Sequence, residues 1–389
     1  MNHHKKSRTT FSTNSAMPVM AGILLLIFGC GGQGPEPSPL QQVLASTDPA
    51  IARVMEDPEG YEVQIRYSRI LRKSDSVTFV NYDFRVDNSR YFYPASTVKF
   101  PVALAALEKL NELDSLDRNN RYYIEGDSVE NSFARDIIEI FAVSDNHANN
   151  RLIEFLGQDD INRRIGSKQA GPFRVSHRLG AHRDILTTQP LVIYLNDSLT
   201  TLSAPIINSA PKPLELRGVL KGSGYVEGDS LVSDPFDFRM KNYLPVTTLD
   251  GIMKRVIFPE AFPGNQQFRF SEDQRSFLLE TMKILPRQAG YDPEIYPDGY
   301  CKFFLFGDTE QQIPEYLEIY NKVGFAYGTL TDCAYIKDRE SGVEFMLTAT
   351  ILVNGNGIFN DDQYEYDETG IPFLAALGRG LYQYELQQK

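Results

Sequence analysis

One pairing of reactive side chains sets the chemical question. In "YPASTVKFPVALAALEKL", residues 93–110, Ser96 and Lys99 lie three positions apart at the mouth of an apolar helical pattern. Residues at that spacing share a helix face, so a hydroxyl and an amine come into contact. A helix mouth also presents free backbone N–H groups and the positive end of the dipole, which favour negative charge. The combination suits acyl transfer, in which a serine attacks a carbonyl and the tetrahedral intermediate becomes an oxyanion. Alone the spacing is a weak signal, because Ser-x-x-Lys arises by chance about once in a chain of this length. Ser209 and Lys212 supply such a copy, with Pro211 between them and no helical pattern to align them, and it is set aside. Two further groups lie downstream: Ser144-Asp145-Asn146 at the start of another helix and Lys322-Val323-Gly324 at the start of a late strand. Singly, the first reads as a helix cap and the second as a solvated strand lysine. Three in order, each on the kind of element acyl transfer needs, read as one site.

Positioning these residues falls to a chain that changes character along its length. Residues 40–56 read as a helix, and "YEVQIRYSRI" (61–70) and "VTFVNYDF" (77–84) alternate as two strands joined by a polar turn. Val98, Val102, Leu104, Ala105 and Leu107 predict a helix from Thr97 to Leu113, with Pro101 in its first turn, where the missing donor costs little. "NSFARDIIEIFAVS" and "NHANNRLIEFLG" are amphipathic, the second stopped by Gly157. "TTLDGIMKRVI" starts with Thr247 as a cap, and Ser271 with Gln274 makes a capping box before "RSFLLETMKIL" and Pro286. Residues 185–245 are broken by Pro190, Pro205, Pro211, Pro213 and Pro235 and read as a long, partly ordered insertion. After residue 315 the strands return as "EIYNKVGFAYG", "DCAYIKD" and "VEFMLTATILVN", with Asp338 to Gly342 as a hairpin turn, and a helix over 369–386 closes the chain. Two strands at the start, three at the end and helices between them imply an α+β fold. A five-stranded antiparallel sheet over 40–95 and 315–389 is expected to carry an inserted all-helical domain, the mainly helical residues 96–314 with 185–245 as their irregular insertion.

With these elements placed, the three groups resemble the motifs of the class A β-lactamases and the wider penicillin-recognising serine hydrolases: Ser-x-x-Lys, Ser-Asp-Asn and Lys-Thr/Ser-Gly, in that order. The stretches "YPASTVKFPVALAAL", "SDNHANNRLIEFLG" and "KVGFAYGTLTDCAYI" and the "TT" helix start are similar to the corresponding family segments, and the likeness covers most of residues 40–386 outside the insertion. The resemblance implies a β-lactamase-like fold with Ser96 as nucleophile and Lys99 as the group that accepts or shuttles its proton, which needs a lysine neutral for part of the cycle. Nearby cations such as Lys322 would lower its pKa. By the same resemblance Ser144 passes a proton to the leaving nitrogen, Asn146 orients Lys99 and the substrate amide, and Lys322 supplies charge for a substrate carboxylate. The backbone donors of Ser96 and of Phe325, one residue past Gly324, would form the oxyanion hole. No cofactor and no metal are implied, and His147, His177 and His182 are too dispersed to argue for either a metal site or a triad.

Two positions depart from the family pattern. Val323 stands where a hydroxyl would hold the substrate carboxylate, and valine cannot make that bond. The glutamate that hydrolyses the acyl-enzyme in class A enzymes, normally in a Glu-x-x-Leu-Asn pattern, has no counterpart: Val192 occupies its slot in "VIYLN", and Phe238 occupies it in "DPFDFRMKN" before Asn242. Asp234 and Asp237 are the candidate replacements as water-activating base, and both also suit turns. A serine enzyme without that base still acylates, but turns over slowly or passes the acyl group to an amine. The expected activity is therefore hydrolysis of β-lactams or a related amide. A peptidoglycan D-alanyl peptidase or transpeptidase, or a penicillin-binding scaffold without turnover, are the alternatives.

The first twenty-nine residues carry Lys5, Lys6 and Arg8, then an apolar run from Met17 to Phe28, the layout of a secretory signal. The run is too short to span a bilayer comfortably. It ends Ile27-Phe28-Gly29-Cys30, which resembles a bacterial lipobox apart from the bulk of Phe28, and "GGQGPEPSP" follows as a tether over residues 30–39. A lipid on Cys30 would hold the protein at the bacterial cell envelope. The net charge of -12 for the whole chain loses three cations and no acids with that segment and becomes -15, which makes nucleic acid an unsuitable partner. What remains can bury one or two cores. Cys301 and Cys333 survive, and their pairing depends on a separation that sequence does not give.

Overall fold

Strands from the two ends of the chain meet in one antiparallel sheet. β1 (Gln64–Lys73) and β2 (Ser76–Phe84) come from the start, and β3 (Leu317–Ala326), β4 (Thr329–Asp338) and β5 (Glu344–Leu352) from the end, in the order β3-β4-β5-β1-β2. Tyr67 of β1 faces Leu347 of β5, and Lys322 and Gly324 of β3 face Cys333 and Thr331 of β4. Side chains alternate between faces along each strand. Cys333, Tyr335 and Met346 therefore join one core, and Ala334, Ile336, Phe345 and Leu347 join another on the opposite side. The computed structural model describes residues 36–73, 76–180 and 185–389; residues 1–29, read as a signal, Cys30 and His182 lie outside the described residues.

The helix expected over 40–56 is two helices, α1 (Pro39–Leu44) and α2 (Pro49–Glu56). The break has a local cause. Asp48 disfavours continuation because Pro49 follows it, and its side chain instead caps α2 by accepting from the Ala50 N–H at 2.9 Å. The middle of the chain supplies α3 (Lys99–Asn111), α4 (Phe133–Ala142), α5 (Asn146–Leu156), α6 (Gln158–Ser167), α7 (Val246–Ile257) and α8 (Glu272–Met282), and α9 (Ile371–Leu386) ends it. The Ser271–Gln274 capping box is present on α8, and Gly157 ends α5 at a φ of 74°. Thr247 lies inside the first turn of α7, behind Pro245, and donates to Asn88 Oδ1 at 2.8 Å instead of capping.

α3 is largely apolar and buried along most of its length, the behaviour of a helix at the centre of a helical body. Val102, Leu104 and Leu107 are fully enclosed; truncating one such leucine to alanine costs about 2–5 kcal/mol. α7 joins this core to the sheet through Leu249, Ile252 and Val256, and the Phe258 ring meets Tyr335 edge-on at 5.4 Å. On the other face α1, α2 and α9 close the second core with Val43, Ile51, Leu374 and Leu377. That core reaches further back than residue 315, since Cys301, Phe303 and Ile313 pack in it.

The inserted region is not all-helical. Four short strands, Asn131–Ser132, Arg121–Ile124, Leu191–Asn196 and Leu199–Leu202, form a small sheet beside the helices, with Tyr122 paired to Ile193 and its ring stacked on Phe133 at 4.3 Å. Residues 185–245 are ordered by this sheet and by two smaller ones, in which Leu220–Lys221 pairs with Phe236–Asp237 and Gly224–Glu227 pairs with Ser230–Val232 and Ile358–Phe359. Most of these strands are too short to show a period, and several partners are far away in sequence, so their pairing leaves little signal beside the prolines.

Candidate active site

Ser96 sits in a 3₁₀ turn (Ala95–Val98) that runs directly into α3, making Lys99 the first residue of that helix. Ala95 has a φ of 46° and Ser144, which precedes the Asp145 cap of α5, has a φ of 58°. Left-handed backbone at a residue with a side chain costs about 1–2 kcal/mol and persists where surroundings over-determine it, as they do around active sites.

The sheet reaches the serine through Gly324. A Cβ at that position would lie 2.7 Å from Thr97 N and 2.8 Å from Pro94 O and Ser96 N. Only glycine lets β3 lie this close to the turn that carries Ser96, and the next residue, Phe325, lines the same cavity as Ser96. Lys322, two residues earlier and on the same face of β3, is fully buried and donates to Ser144 Oγ at 2.7 Å and to the Val323 carbonyl at 2.7 Å. Lys99, also fully buried, donates to the backbone carbonyl of Ser144, and its Nζ lies 3.4 Å from Ser144 Oγ. The hydroxyl of Ser144 thus bridges two amines drawn from α3 and β3.

The expected Ser96–Lys99 hydrogen bond is absent: among the described residues Ser96 Oγ has no partner. A buried amine needs an acceptor, and the Ser144 carbonyl provides it. Asn146, in the first turn of α5, is exposed and lines the same cavity as Ser96, with a volume of about 430 Å³.

Electrostatics favour a neutral Lys99. Burial holds its pKa well below the usual lysine value, and the charge of Lys322 pushes it in the same direction, with Asp145 opposing. Burial lowers Lys322 to about 8, and burial likewise lowers Lys302 to about 8. Behind them Lys302 donates to Asn321 Oδ1 at 2.6 Å, Asn321 donates to Asp332 Oδ1 at 2.9 Å, and burial raises Asp332 to about 6. This support was not read from the sequence, although an aspartate inside the apolar run of β4 signals a partnered charge.

Other expected residues lie elsewhere. Asp234 and Asp237 are exposed and neither lines the Ser96 cavity. Asp237 is bonded to Arg239 at 2.7 Å, which holds its carboxyl below the usual range. Phe238, one of the two residues expected in place of the glutamate, is fully buried with its ring 5.7 Å from both Tyr93 and Tyr327. Val323 points into the apolar core on the far side of β3. Ser209 lies outside any helix and donates to Asp159 at 2.9 Å. His177 is buried between the Arg178 carbonyl and the Asn242 N–H, and His147 is exposed. Cys301 and Cys333 are separate free thiols. Among the described residues no group of three or more histidines, cysteines or acids could hold a metal ion, and no helix is long and apolar enough to cross a membrane.

A larger cavity, about 610 Å³, lies beside α8 and the first half of β3 and contains none of the motif residues. The smaller one holds Ser96 and Asn146. Its outer wall is not legible in the sequence: Tyr364, Tyr366 and Asp362 reach it from the segment after β5 and line it with Tyr93 and Tyr327.

Residues 49–204 match the model of the β-lactamase enzyme family, a span that holds Ser96, Lys99, Ser144 and Asn146 and stops short of Lys322. No match was found among curated proteins. Of the solved structures, a β-lactamase from Sphaerobacter thermophilus shares the fold at 13% identity and a TM-score of 0.50, over 89% of this chain and 96% of that one. A β-lactamase from Burkholderia ambifaria aligns at 14% identity and a TM-score of 0.48, over 84% of this chain and 94% of that one. Residues 49–204 are thus similar to the β-lactamase enzyme family, and the chain as a whole shares the fold of a solved β-lactamase.

Proposed function

We propose that the protein is a serine acyl-transfer enzyme of the class A type that is acylated at Ser96 by β-lactams or a related peptidoglycan-type amide. The observation that carries this reading is the hydroxyl of Ser144 held between the buried amines of Lys99 and Lys322. Ser96 Oγ attacks the carbonyl carbon, and its proton passes to neutral Lys99, whose depressed pKa suits that task. The new oxyanion is held by the N–H groups of Ser96 and Phe325, which the close approach at Gly324 brings together. Collapse breaks the carbon–nitrogen bond, and Ser144 gives its proton to the leaving nitrogen while the lysines beside it restore that proton.

Phe238 in the glutamate slot and two exposed aspartates away from the cavity favour a long-lived acyl-enzyme over fast hydrolysis. The acyl group then leaves to water slowly or to an amine, as in a D-alanyl peptidase or transpeptidase. The reading includes a lipid on Cys30 that tethers the domain at the cell envelope, supported by the signal-like residues 1–29 and the lipobox-like sequence before Cys30. Incubating the mature domain with a fluorescent penicillin tests the site: a covalent band that persists, with little nitrocefin turnover, is expected. A band that decays with rapid turnover assigns an efficient β-lactamase, and no labelling by any acylating probe leaves only a scaffold.

A further inference from the structure

We propose that the outer half of the Ser96 cavity binds a cationic ammonium group carried by the substrate, a specificity that rests on the acyl-transfer reading above. The wall is aromatic: Tyr93, Phe325, Tyr327, Tyr364 and Tyr366 all line it. The rings support one another, with Phe325 edge-on to Tyr366 at 5.6 Å, Tyr364 at 5.3 Å from Tyr366, and Tyr93 edge-on to Tyr327 at 5.1 Å. Two of them are tied down through their hydroxyls, which accept from the backbone: Tyr366 from Gly328 at 2.8 Å and Tyr364 from Asn360 at 2.7 Å. The wall is therefore a fixed aromatic lining, and the faces of aromatic rings attract ammonium groups.

The charge at this wall has the matching sign. Asp362 is its charged lining residue, and the lining includes no lysine, arginine or histidine among the described residues. At the inner end, Lys322 already donates to Ser144 and to the Val323 carbonyl, and the Val323 side chain is turned into the core. A substrate carboxylate thus finds no hydroxyl at that position, whereas an ammonium group at the outer end finds several rings and a carboxylate. Asp362 is exposed, so its attraction is screened, and the rings and the carboxylate together support a preference of about tenfold.

Three p-nitrophenyl esters of matched shape test this: the 4-(trimethylammonio)butanoate, its neutral isostere the 5,5-dimethylhexanoate, and the anionic hemiglutarate. Each acylates Ser96 with loss of p-nitrophenolate, so the first turnover is read by absorbance and the adduct by intact mass. The cationic ester is expected to acylate about tenfold faster at limiting concentration than the neutral one. Asp362→Asn should cut that ratio to about twofold or threefold, and Asp362→Glu should restore most of it. Equal rates for the cationic and neutral esters, or a faster anionic ester, overturn the proposal. If no ester forms a Ser96 adduct, the acyl-transfer reading has failed, and binding of benzyltrimethylammonium, followed by tyrosine fluorescence in a chain without tryptophan, decides the cation site separately. Saturable binding that Asp362→Asn weakens sustains the site, and no binding removes it.

Discussion

Replacing Gly324 with alanine asks whether the sheet and the nucleophile form one machine. The added Cβ would meet three backbone atoms, Thr97 N, Pro94 O and Ser96 N, at 2.7–2.8 Å, where ordinary contact begins at 3.4 Å. None is the tip of a flexible side chain, so β3 and the Ser96 turn must separate by about 0.6 Å. A displacement of about 0.5 Å is already the limit for a preorganised site, and the expected loss is that of one oxyanion-hole donor, about 10²–10³ in acylation rate or about 3–4 kcal/mol of barrier. Overpacking costs about 1–3 kcal/mol of stability, which a thermal melt reads independently. The assay is the first-turnover rate with a nitrophenyl ester under conditions where the variant stays folded. A folded Gly324→Ala protein that acylates at the wild-type rate would refute the placement of Phe325 beside the reacting carbonyl, and with it the two-donor hole.

Three further outcomes follow from the same geometry. Ser96→Ala should abolish covalent labelling and leave the melt near wild type, because the hydroxyl supports no bond to a described residue; loss of fold instead would make Ser96 structural. Lys99→Met keeps the volume and removes the base, so acylation should fall by about 10²–10⁴, while the melt holds or rises because a buried amine is gone; unchanged acylation would assign the base elsewhere. Acylation should rise with pH as Lys99 loses its proton, then fall near about 8 as Lys322 loses its charge, and Lys322→Arg should move only the falling limb upward, measured as kcat/KM against pH. A falling limb that stays near 8 in that variant would exclude Lys322 as its source.

Much of the site was legible because its parts are local. The Ser96–Lys99 spacing, the Ser144-Asp145-Asn146 helix start and the Lys322-Val323-Gly324 strand each lie on an element whose period the chain displays plainly, so their element types followed from pattern. The five-stranded sheet was legible for the same reason, since β1, β2, β3, β4 and β5 are long enough to alternate. Less was legible where pairing is short and distant: Tyr122 with Ile193 and Gly224 with Ile358 turn a proline-broken stretch into ordered strands, and no window of sequence holds both partners.

Tertiary structure alone decided what the motifs do to one another. Lys99 and Lys322 are ordinary lysines in sequence; burial shifts both downward, because removing an amine from water disfavours its charged form, and for Lys99 the charge of Lys322 adds repulsion. It also decided that Lys99 bonds to Ser144, that Phe238 is buried among aromatic rings, and that Asp362 comes to the mouth of the pocket with Tyr364 and Tyr366. Local sequence sets which groups a segment offers, but distance, burial and field depend on segments hundreds of residues apart, and those exist only once the chain has closed its two cores.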